Sequence, residues 1–246
     1  MKFTAAVSSV LLLSKNAFAG FDEIAAMVRA AEANLTATSG PLDRDIGGGA
    51  TGAILSSPLA KIENYGCWCY FQENHGQGAG EAQNEVDAHC QSLHHGYTCV
   101  KIDGEFEGEN CDEPWSTNYQ IIPLTAWMFG GNPDGDMYAD CQELNPDSEC
   151  AARTCAVESF FTLNLIGEGL SMKPFDESLK HDTGFDVEKN CPRKIGSDNS
   201  PLECCGEYPP RFPYKTKDGQ RGCCFDKTYD VELQECCQDY SLSLVC

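Results

Sequence analysis

Basic residues are scarce in this chain. Only 17 Lys and Arg stand against 38 Asp and Glu in 246 residues, a formal net charge of −21. A polyanion of this size repels nucleic acid and anionic membrane surfaces and draws cations, calcium among them, or basic partners. The plainer reading is an acidic surface that keeps the protein soluble. Long apolar runs are also missing, so no segment reaches the ~20 residues of a membrane-spanning helix. Cysteine is absent before Cys67, and histidine is absent from residues 191–246. The tail therefore lacks the His-Asp-Ser grouping of common hydrolases. The run Gly47-Gly48-Gly49-Ala50-Thr51-Gly52 lacks the Lys-Ser/Thr of a phosphate-binding loop and reads as a flexible linker.

What is present points outward from the cell. Lys2 forms a basic n-region, Ala5 to Leu13 a short apolar run, and Ala17-Phe18-Ala19 an A-x-A cleavage site, so residues 1–19 read as a signal peptide. Removing them takes away Lys2 and Lys15 and leaves a net charge of −23. The expected location is secreted and extracellular. Sixteen cysteines follow, an even number in a compartment where disulfides persist. Cys67, Cys69, His89 and Cys90 could also be imagined as zinc ligands, but export favours disulfides.

The cysteines fall into two sets of eight. The first is Cys67, Cys69, Cys90, Cys99, Cys111, Cys141, Cys150 and Cys155. The second is Cys191, Cys204, Cys205, Cys223, Cys224, Cys236, Cys237 and Cys246. A polar stretch at 166–190 reads as a linker, so the expectation is two separately stapled domains, 53–165 and 191–246. Residues 20–52 would be an amphipathic helix over 21–35 followed by the linker, with a glycosylation sequon at Asn34. Within 53–165, helices are expected from about Glu81 to Cys99 and from about Ser148 to Leu165, the latter capped by Asp147 or Ser148. Residues 103–147 read as acidic loop. In the tail, Asp218-Gly219 suggests a hairpin with strands near 211–216 and 221–226. Neighbouring Cys-Cys pairs should send their members to different partners.

Chemistry concentrates in Asn64-Tyr65-Gly66-Cys67-Trp68-Cys69-Tyr70, the glycines at 76, 78 and 80, and Asp87-Ala88-His89-Cys90-Gln91-Ser92-Leu93-His94-His95-Gly96-Tyr97-Thr98-Cys99. Together these resemble the secreted phospholipase A2 family, with residues 150–161 resembling its second disulfide-linked helix. The resemblance covers 53–165 and implies a mainly α fold joined to a small disulfide-rich β module. It implies His94 as the general base on water, Glu158 as the acid that orients it, and calcium held near Tyr65, Gly66 and Trp68. The sequence departs from that pattern. His94 stands four residues after Cys90 where the family has three, and His95 stands where the calcium-binding aspartate belongs. Imidazole is a poor ligand for a hard cation. Tyr70 and Phe71 replace a loop glycine, and an insertion runs through His75.

The histidines at 89, 94 and 95 equally suit a structural role on one helix. Asp103-Gly104-Glu105-Phe106-Glu107-Gly108 starts like a calcium loop but reaches Pro114 where the closing glutamate is needed, and residues 132–140 lack the glycine register. Both read as solvated acidic loops. Glu203-Cys204-Cys205-Gly206-Glu207-Tyr208-Pro209 and the Cys223-Cys224 and Cys236-Cys237 pairs resemble the double-cysteine repeats of galaxin-like extracellular-matrix proteins. The expected function is a non-catalytic structural or adhesive extracellular component, with matrix or cell-surface proteins as partners. The alternative is a calcium-dependent phospholipase A2 acting on phospholipid.

Overall fold

A computed structural model describes Ile24, Met27, Trp127 and residues 62–71, 76–124, 135–170, 176–193 and 199–246. The signal segment, Asn34, the glycine run, His75 and residues 132–134 lie outside the described residues.

Helix α1 spans Glu85–Glu107, well past the expected end at Cys99. Asn84 starts it, its side chain accepting from the Asp87 N–H, as an N-cap residue does. Cys90, Leu93, His94, Tyr97, Val100 and Gly104 are buried along it at helical spacing. Gly108, at φ +78°, closes it in the left-handed conformation. Residues 103–107 are therefore helical, and the acidic-loop expectation fails for them. The reason is tertiary: Arg211 and Tyr208 engage the Asp103 carboxylate, and Gly104 packs on Cys111.

Helix α2 is Met137–Leu144, and Asp136 accepts from the N–H groups of Tyr138 and Ala139 at its start. The acid expected in a solvated loop thus works as a helix cap. Helix α3 is Glu149–Leu170, with Ser148 Oγ accepting from the Ala151 N–H. Helices α1 and α3 pack together, with Gly96 against Val157. A Cβ at position 96 would lie 2.6 Å from a Val157 methyl group, so only glycine allows this approach. The core they share includes Tyr65, Leu93, Tyr97, Val100, Val157, Phe161 and Leu165, together with Ile24 and Met27 from the N-terminal segment. Both of those residues are helical, in keeping with the amphipathic pattern.

The stretch expected to be a linker, 166–190, is structured in its described residues, of which 166–170 continue α3. It holds two 3₁₀ turns, Glu177–Leu179 and His181–Thr183, and a short helix α4, Val187–Asn190. The tail forms three two-stranded antiparallel sheets in series: β1 (Leu202–Cys205) with β2 (Phe212–Lys215), β3 (Arg221–Cys224) with β4 (Lys227–Asp230), and β5 (Glu235–Cys236) with β6 (Leu242–Ser243). The expected strands around Asp218-Gly219 exist, but they do not pair with each other. That turn joins two hairpins. Each strand finds its neighbour on its other side, because short loops at 206–211 and 225–226 close those pairs locally.

All 16 cysteines are paired and none is free, which removes the zinc alternative. Three bridges lie in the first set: Cys69–Cys90, Cys111–Cys150 and Cys141–Cys155. Three lie in the second: Cys205–Cys223, Cys224–Cys236 and Cys237–Cys246. The remaining two, Cys67–Cys191 and Cys99–Cys204, join the sets. The two units are therefore not separately stapled. Members of each neighbouring pair do go to different partners, so the bridges link successive hairpins into a ladder. No described helix is long and apolar enough to cross a membrane.

Candidate functional site

The loop at residues 63–70 and the first turns of α1 meet as the sequence suggested. Gly66 sits at φ +58°, and a Cβ there would lie 2.4 Å from the Asp87 carboxyl carbon. Glycine is thus demanded twice, by conformation and by space. The Asp87 carboxylate is fully buried and accepts the backbone N–H groups of Cys67 (2.8 Å), Trp68 (2.7 Å) and Gln83 (2.9 Å). Burial still holds its pKa above the ordinary value of 3.8, outweighing these three bonds, which lower it.

The loop carbonyls, the atoms a calcium ion would need, already have donors. Cys69 N–H donates to the Tyr65 oxygen, Ala79 N–H to Cys67, and Tyr70 N–H to Trp68. The Gly66 oxygen receives His181 Nε2 at 2.8 Å. His181 arrives from the ordered stretch after residue 176, which lies across the loop. Gly66 N–H donates to the Leu179 oxygen, His181 N–H to Asn64, and Lys180 Nζ to Glu63. Cys67–Cys191 ties that strap covalently to the loop.

His94 is buried on α1 with its ring 6.1 Å from Trp68, and the Thr98 hydroxyl donates to its carbonyl. His95 packs edge-on to the same indole at 5.1 Å, and burial lowers its pKa below the usual 6.5. His89 is half-buried on the same helix. The acid expected on α3, Glu158, is fully buried. Tyr97 donates to its Oε1 at 2.6 Å and Tyr119 donates to its Oε2.

A calcium ion at this loop would have to share or displace these contacts. The buried carboxylate nearest the loop already accepts three N–H donors, the Gly66 oxygen accepts an imidazole N–H, and the position after His94 offers a ring packed on Trp68. Among the described residues no group of three or more His, Cys, Asp or Glu could hold a metal. Sequence reasoning missed Asp87 as the loop's anchor, Tyr97 and Tyr119 as donors to Glu158, and His181 entirely. The i, i+3 spacing from His94 to Tyr97 was a usable signal. Nothing local marks His181, which lies 115 positions from Gly66. Neither the protein-family models nor the curated proteins compared with the chain match it.

Proposed function

We propose that the protein is secreted and acts as a non-catalytic structural or adhesive component outside the cell, on a degenerate phospholipase A2-like scaffold followed by a galaxin-like double-cysteine module. The observation that carries this reading is the His181 bond to Gly66. A hydrolase of that family would need the carbonyls of this loop for calcium, which would polarise the substrate and stabilise its oxyanion. Here the strap engages the oxygen and a disulfide holds the strap in place. Eight bridges in one chain support the extracellular setting. Matrix or cell-surface proteins are the partners that fit such a rigid, acidic body. The rival reading keeps one point in its favour, the buried Glu158 carboxylate presented by two tyrosines between α1 and α3.

The deciding measurement is fatty-acid release from phosphatidylcholine vesicles with and without millimolar calcium. The expected result is no release above buffer in either case. Calcium-dependent release that His94→Gln abolishes would overturn the proposal.

A further inference from the structure

Away from the loop, a cleft of ≈ 850 Å³ opens where the first hairpin meets the helices. Its apolar and aromatic lining is Trp127, Met137, Tyr138, Phe160, Leu163 and Tyr208. The Tyr138 and Tyr208 rings lie 5.5 Å apart. Four carboxylates line it, Asp103, Glu107, Asp136 and Glu207, against two guanidiniums, Arg153 and Arg211. The guanidiniums are already engaged. Arg211 bonds both Asp103 oxygens, at 2.8 and 3.1 Å, and Arg153 Nη2 bonds Glu107 at 2.6 Å. Both also lie 5.8 Å from the Tyr208 ring centre.

Those facts decide the sign of the ligand. Among the described residues Arg153 Nε and Nη1 have no hydrogen-bond acceptor, which alone would suggest an anion. Yet these atoms are sealed from solvent and the guanidinium is stacked on Tyr208, so an entering anion meets neither. Glu107, Asp136 and Glu207 are by contrast exposed at the rim. Asp136 caps α2, and among the described residues no cation pairs with it. Aromatic walls beneath a carboxylate rim attract a cation with an apolar stem, through the ring quadrupole and Coulomb attraction together. The net charge of −21 steers such a ligand in.

We infer that this cleft is a docking site for a cationic side chain, Lys or Arg, presented by an extended segment of a basic partner protein. The inference deepens the adhesive reading and rests on it for its biological sense. The stem would lie along Trp127 and Phe160, and the charged head would meet Glu207 and Asp136.

The test uses the full oxidised protein and tri-arginine, read by calorimetry and by tryptophan fluorescence. Saturable binding is expected, weakening at least tenfold as salt rises from about 0.02 to about 0.2 M. The double variant Asp136→Asn/Glu207→Gln should bind at least tenfold more weakly, with an unchanged circular dichroism spectrum because Asn still caps a helix. A control with the same charge change at the turn into the third hairpin and its first strand, Glu232→Gln/Glu235→Gln, should bind as the wild type does. Equal weakening in both variants would mean attraction by bulk charge and would overturn the site. So would tri-glutamate binding as tightly, or no saturable binding, as when another segment of the chain fills the cleft. None of these outcomes bears on fatty-acid release, so the two proposals fail separately.

Discussion

His181 Nε2 lies 2.8 Å from the carbonyl oxygen of Gly66, joining a strap and a loop that stand 115 positions apart. The contact binds Gly66 of the loop to a segment that also carries Cys191, the disulfide partner of Cys67. The imidazole therefore does locally what the bridge does covalently.

Replacing His181 with Ala should cost about 1 kcal/mol, the net worth of one hydrogen bond, and leave the fold intact because Cys67–Cys191 remains. Calcium titrated into the wild type should give no saturable heat. Saturable heat in the variant alone would mean that the imidazole masks a cation site.

Glu158 is a buried acid that depends on its donors. Tyr97→Phe removes the 2.6 Å bond to Oε1, one of the hydroxyl donors to this buried carboxylate. The expected loss is about 1–3 kcal/mol in urea denaturation. Tyr97→Phe/Tyr119→Phe should not behave additively, since both hydroxyls serve one carboxylate.

Two groups at the loop junction make opposite contributions to pH dependence. Asp87 has a raised folded pKa, caused first by burial. Its contribution is fully present below 3.8 and is lost as pH rises through the folded value. The stability gap between wild type and Asp87→Asn should therefore be larger at about pH 3 than at about pH 7. A gap that widens toward neutrality would show that the three N–H donors outweigh desolvation. His95 has a lowered folded pKa because it is buried against Trp68. Its contribution is present above 6.5 and is lost as pH falls through the folded value. His95→Gln should flatten the stability profile in that window.

The two bridges between the cysteine sets should be separable from the other six. Cys99→Ser/Cys204→Ser opens a 105-residue separation, for which chain entropy predicts a loss of about 4–5 kcal/mol at most. The hairpins keep their three internal bridges, so limited proteolysis should leave β1–β4 uncut. Cleavage inside β1–β4 instead would mean that the module depends on α1 for its fold.

Much of the architecture was legible in sequence because it depends on neighbours. Leu93, Tyr97 and Val100 mark the face of α1 by their spacing, Ser148 caps α3, and short turns place β2 and β3. The errors have one physical origin. Asp103 reads as a loop acid until Arg211 and Tyr208 approach it, 108 and 105 positions away, and their bonds favour helix at residues 103–107. Residues 166–190 read as a linker because of their polar, Gly-, Pro- and Asp-containing composition, yet 166–170 continue α3 and 176–190 are folded. What orders them is backbone pairing to Asn64 and Gly66, which composition does not reveal.

The sequence by itself determined the disulfide character, the acidic surface, the two long helices, and the loop-and-helix motif with His95 after His94. Cysteine parity, charge and helical spacing are properties of composition and near neighbours. Only the tertiary structure decided which cysteines pair across the two sets, where Asp103 spends its charge, and that His181 occupies the Gly66 carbonyl. Each of these is a contact between distant segments, settled by which buried polar groups find partners once the chain has closed on itself.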